Sequence, residues 1–247
     1  MQPTSDEIRT TLHKIVWEGI GQELAAFSTG RSLWRAMSDY SDAINANSYG
    51  DLFSVFQKQS VITLTLALTK VFDPSGRSKT RSIAEVLRIL KEYKHVIVPT
   101  KAFDGAVSLR RRGVSLGKTN AETIANIISY IEGRCAQAKV RDALKAAKAL
   151  RDKELAHRDH EVRHEDLPPL TEDLPPLTWE KLNKLASVVI DFLDIIGPLF
   201  IGSQWVIDGE FVVEKWDVPL IATAFRRLVE DAGLGKNGAR LSAADAQ

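Results

Sequence analysis

The chain has 247 residues, 44% hydrophobic and 26% charged, which is the composition of a globular protein with a sizeable core rather than of a disordered or fibrous one. Its formal net charge of +1 excludes a strongly charged overall field, so an anionic partner would have to be held by a local patch. A single cysteine, Cys135, excludes an intramolecular disulfide and a cysteine-rich zinc site and fits a reducing cytoplasm.

The first residues, "MQPTSDEIRT", lack a basic segment followed by an apolar one, so no secretory leader is expected. Thr4 to Glu7 offer capping groups, and Ile8, Leu12, Ile15, Val16, Ile20 and Leu24 follow at helical spacing. A second helix is expected over 31–47 and a third, apolar on nearly all sides, over 51–73. The third stops at Asp73-Pro74-Ser75-Gly76. Ser82 caps "IAEVLRILKEY", and a shorter helix covers 101–112. Thr119 or Asn120 begins the longest pattern, proline-free through "ALRDKELAH".

The next stretch, "EDLPPLTEDLPPLT" (165–178), is one seven-residue unit written twice. Its four prolines exclude a helix or a central strand. A surface loop lengthened by duplication is favoured over a polyproline docking segment. Thr178 opens another helix, which runs to about Gly202. Its run "LASVVIDFLDIIGPLFIG" carries Asp191, Asp194 and a proline and reads as a core helix, not a membrane span. "WVIDGEFVVEKW" (205–216) carries the Asp208-Gly209 hairpin signature, and a last amphipathic helix follows. The expected architecture is all-α, a helical bundle with a long late helix, plus a small β-hairpin and helix appended at the C-terminus. The expected boundaries are 1–204 for the helical domain, 205–233 for the appendage and 234–247 for a flexible tail.

Four features invite chemistry. Cys135 has no base near it in sequence and reads as a packing residue. His157, His160 and His164 would share a face of a continuing helix, with Asp159, Glu161 or Glu165 nearby. Their spacing matches no specific zinc signature, so no metal and no cofactor are expected. Arg110, Arg111 and Arg112 form a basic run at a helix end, which is either favourable placement against the helix dipole or a phosphate-contacting patch. The fourth is "LRDKELAHRD" (150–159). At about 100° per residue, Val140, Leu144 and Ala147 share a stripe that Arg151, Glu154 and Arg158 continue. The stripe turns from apolar to charged without changing direction, so a polar cluster that must pair or bind something is expected there. His157 lies about 100° off the stripe unless the helix unwinds before the proline loop.

The string "ALRDKELAHRD" resembles the signature of the HEPN superfamily: an Arg, a polar residue, and a His after four to six intervening residues, late in a long helix. Arg151, Asp152 and His157 match it position by position, and the wording is closest to HEPN-like proteins of the phage abortive-infection type. The resemblance extends in organisation over roughly 4–202 and is specific only over 149–159. It implies a metal-independent ribonuclease acting as a homodimer, with the two Arg/His sets facing one cleft. Arg151 would hold the scissile phosphate, His157 would serve as acid or base, and Asp152 would orient one of them. Arg158 and Arg110 to Arg112 would bind the RNA. An antitoxin protein is a further expected partner, in a phage-defence or toxin–antitoxin setting. Asp159 stands where a nucleotide-modified variant of the family has Tyr, which argues against that arrangement. The alternative is a non-catalytic helical module that binds a nucleotide, RNA or a partner protein.

Overall fold

The computed structural model describes residues 3–46, 49–74, 81–100, 103–160, 177–207 and 210–231. Helices dominate them: α1 Ser5–Ile15, α2 Gln22–Asp39, α3 Ser41–Ala46, α4 Gly50–Val71, α5 Ile83–Tyr93, α6 Phe103–Arg111, α7 Asn120–Ala136, α8 Ala138–His160, α9 Trp179–Ile196 and α10 Val212–Asp231. The all-α class follows. Among the described residues, no helix is long and apolar enough to cross a membrane.

Local chemistry sets the helix starts. Thr4 and Thr119 each form a reciprocal capping box, with Glu7 and Glu122 respectively. Ser82 and Thr178 accept from the backbone N–H groups of Glu85 and Lys181. α6 ends at Gly113, which takes a left-handed φ of 69°. There the Gly113 N–H donates to the Arg110 carbonyl and the Val114 N–H to the Leu109 carbonyl, closing the helix by a Schellman motif.

Two expectations about helix continuity are corrected. The segments expected as separate near residues 24 and 31 join: α1 runs through a π-helical turn at Val16–Gly21 directly into α2. Conversely, the longest pattern breaks. Gln137 is extended (ψ 135°), and α7 ends before it while α8 starts after it. No proline marks the break. The Arg134 side chain bonds both Asp191 and the Gln137 amide, which fixes the end of α7 against α9.

The chain divides into two compact units, Met1–Leu24 with Thr65–Phe211, and Ala25–Leu64 with Val212–Gln247. In the first, α9 is the central element: α8, α7 and α6 pack against it. α9 is apolar on nearly every face, and Leu185, Val188, Val189, Phe192, Leu193, Ile195 and Ile196 are all buried. The predicted stripe Ile8, Leu12, Ile15, Val16 and Ile20 is buried in this unit. Gly21 is required by close packing, since a Cβ there would stand 2.2 Å from the Trp205 ring. The second unit has its own core of Met37, Tyr40 and Ile44 with Phe225 and Val229 of α10. Tyr40 and Phe53 meet the Phe225 ring at 6.2 and 6.0 Å.

The β-hairpin does not extend over the expected 205–216: among the described residues, only Val206–Ile207 (β1) and Glu210–Phe211 (β2) pair, antiparallel and two residues each. From Val212 the chain is already helical, in α10. A two-stranded ribbon is marginal by itself. Here the helix wins, because extending α10 backwards supplies a backbone hydrogen bond per residue. The Asp208-Gly209 turn, nearly all of the duplicated segment (161–176) and the tail beyond 231 lie outside the described residues.

Candidate functional site

The backbone of α8 stays helical through His160, so it does not unwind before the proline-rich segment. The position of Arg151 follows from this frame. Val140, Ala143, Ala146 and Ala147 bury one side of α8, which packs chiefly against α9. Val140 and Ala147 are 1% and 0% exposed within a single chain, so this part of the stripe is not available to a second copy.

One and two turns further on, the same side carries cations. The Arg151 Nε donates to Asp152 Oδ1 at 2.9 Å, and its Nη1 donates to Asp73 Oδ1 at 3.4 Å. Lys148 Nζ lies 3.9 Å from the same Asp73 oxygen. Asp73 follows the end of α4, so α4 and the motif-bearing helix meet at this carboxylate. The Arg151 side chain is 22% exposed and Asp152 63%. A guanidinium has five N–H donors, and among the described residues these contacts use two. The remaining donors suit an anionic oxygen, with the plane of the fork set by two carboxylates. Asp73 and Lys148 were not among the residues singled out from sequence. The signal was an acid directly after an apolar helix and a lysine three residues before the arginine.

The side chains of His157 and Arg158 lie outside the described residues, as do those of Glu154 and His160 and the whole of His164. Helical geometry still puts the His157 Cα about 120° around the axis from Arg151. Among the described residues, no group of three or more His, Cys, Asp or Glu is placed to hold a metal ion.

The basic run on α6 does not form one patch. Arg110 is exposed. Arg111 Nη1 lies 3.8 Å from Asp194, with its side chain 41% exposed. Arg112 turns inward: its Nε donates to Asp194 Oδ2 at 3.1 Å and its Nη1 pairs with Asp191. Arg134 reaches Asp191 Oδ2 with Nε at 2.8 Å and Nη2 at 2.6 Å. The Ser108 hydroxyl donates to Asp194 Oδ1 at 3.0 Å, and Tyr130 donates to Asp191. Two acids in a buried stretch of α9 are thus matched by guanidinium groups from α6 and α7. Burial, with the Asp191 charge adding to it, pushes the Tyr130 phenol above its ordinary range. Arg112 spends its fork on these carboxylates, so it is committed to holding α6 against α9.

The family model for AbiU2, a HEPN type, matches residues 10–216 and therefore takes in Arg151 and His157. The chain belongs to this HEPN-type abortive-infection family. No curated protein and no solved structure matches the chain.

Proposed function

We propose that the protein is a metal-independent endoribonuclease of a bacterial phage-defence or toxin–antitoxin system, active as a homodimer in the cytoplasm. The observation that supports this best is the half-buried Arg151 guanidinium, which among the described residues bonds Asp73 and Asp152 through two of its five donors, in a chain of the abortive-infection HEPN family. In this reading His157 removes the proton of the RNA 2′-hydroxyl. The hydroxyl attacks the adjacent phosphorus, and Arg151 neutralises the equatorial oxygens. The counterpart His157 of the second copy protonates the departing 5′-oxygen, leaving a 2′,3′-cyclic phosphate. Exposed Arg110 and the basic residues near the motif, including Arg158, guide the anionic strand.

The test uses Arg151→Ala and His157→Ala beside the wild-type protein, with RNA decay and product ends as readouts. Loss of cleavage by roughly a hundredfold or more in each is expected. A substrate with a 2′-deoxy sugar at the cut site should resist, and cleavage should persist in a chelator. Efficient cutting of the deoxy substrate would overturn the mechanism. The engagement of Arg151 with two carboxylates favours one second reading, a non-catalytic module in which the arginine is a structural link. Unchanged RNA decay in both variants would select it.

A further inference from the structure

The first half of α4 has two unlike sides. Phe53 meets the Phe225 ring, and Ser60 and Leu64 are buried. Tyr49, just before the helix, and Leu52, Val55 and Phe56 within it are 42%, 53%, 56% and 49% exposed. At about 100° per residue, Leu52, Val55, Phe56 and the exposed Gln59 fall in one stripe, turned about 120° from the buried side. Spacing of i, i+3, i+4 and i+7 is the pattern of a helix face that packs on another element. Single exposed apolar side chains are ordinary, but adjacent ones with no charge among them mark a contact surface.

Two observations point to what covers it. The apolar part of the α8 stripe is spent inside the chain, since Val140 and Ala147 are buried, so it cannot supply the contact between two copies. The charges beside the α4 stripe are also self-complementary. Asp51 and Lys58, both exposed, lie on the same flank of the stripe, about 10 Å apart along the axis. A two-fold axis that sets two copies of α4 antiparallel keeps this flank on its own side and reverses its direction. Asp51 of one copy then stands beside Lys58 of the second copy, and symmetry repeats the pair. The same centre, between residues 54 and 55, brings Leu52 towards Phe56 of the second copy and Val55 towards its own counterpart. A parallel arrangement holds the two flanks apart and forms neither ion pair.

We propose that the exposed face of α4, formed by Leu52, Val55, Phe56 and Gln59, packs antiparallel on the same face of a second copy of this chain, flanked by two Asp51–Lys58 ion pairs. The choice of a second copy rests on the homodimer reading above. The contact itself does not depend on RNA cleavage.

The full-length protein is measured by light scattering over micromolar concentrations, with RNA cleavage read on the same samples. A dimer is expected. Val55→Asp and, separately, Leu52→Asp should weaken the association by at least about tenfold, because each places an unpaired charge in the contact. Circular dichroism checks that both variants are folded. Asp51→Lys should also weaken it, and Asp51→Lys combined with Lys58→Asp should restore it, since only the antiparallel arrangement brings these two positions together. A wild-type monomer, a dimer unchanged by both stripe variants, or a double change that fails to restore what Asp51→Lys removes overturns the proposal. Loss of the dimer in Val55→Asp with cleavage retained keeps the α4 contact and removes the shared-cleft mechanism. A dimer that responds as described in a protein that cuts no RNA keeps it as well and removes the nuclease reading.

Discussion

Arg151 donates to Asp73 across 78 residues of sequence, at 3.4 Å, and so ties the motif of α8 to the end of α4. The pair is partly open to solvent, 22% and 33% exposed, so screening limits its worth as a stabilising contact. Its value is directional: it fixes where the guanidinium points.

Asp73→Ala should therefore lower stability by no more than about 1 kcal/mol. If Arg151 acts on phosphate, the same change should lower the RNA cleavage rate by more than the stability loss predicts. Asp73→Asn keeps an acceptor oxygen and should retain more of the rate. Thermal melts and single-turnover cleavage on the two variants check this, and equal rates in wild type and Asp73→Ala would remove the positioning role.

The Asp191 network makes a larger demand. Asp191→Ala leaves Arg112 and Arg134 facing each other without their shared carboxylate, and should cost about 3–5 kcal/mol. Arg134→Met leaves Asp191 still paired with Arg112 and should cost less. Urea denaturation gives both values, and the order Asp191→Ala above Arg134→Met is the diagnostic result.

Gly21→Ala would place a methyl against the Trp205 ring, with no room at 2.2 Å. The expected cost is about 1–3 kcal/mol, from overpacking. Trp205→Leu combined with Gly21→Ala should cost less than the sum of the two single changes, because the clash is removed. Additive losses in a double-mutant cycle would show that the close approach has no energetic consequence.

Cys135 should react slowly with alkylating reagents at neutral pH. Burial pushes its thiol up to about 11, with the neighbouring Arg134 acting in the opposite direction. The thiolate is the reactive form, so the labelling rate should rise about tenfold per pH unit from 7 upward and level off only near 11. A plateau near the ordinary thiol value of about 8.5 would contradict the partly buried placement.

The local elements were legible because their causes are local. Capping at Thr4 and Ser82 and the helical spacing of Ile8 to Leu24 depend on residues within a turn or two of each other, and the structure places them as read. The motif at Arg151, Asp152 and His157 was legible as a pattern, and it led to the family to which the chain belongs. The other outcomes depended on partners far away in sequence. Asp191 and Asp194 looked only like charges that interrupt an apolar run, until α6 and α7 supplied Arg112 and Arg134. The basic run at 110–112 looked uniform, yet burial of Arg112 against those acids divides it. The break at Gln137 has no local breaker, and the beginning of α10 at Val212 overrode a hairpin signal of β-branched residues. Sequence by itself determined the all-α class, most helix starts and the residues of the motif, since short-range hydrogen bonding and periodic burial are written into neighbouring positions. The tertiary structure alone decided which carboxylate holds Arg151 and which arginines are spent on buried acids. Those outcomes depend on the cost of leaving a buried charge unpaired, and that cost is settled only when distant segments pack.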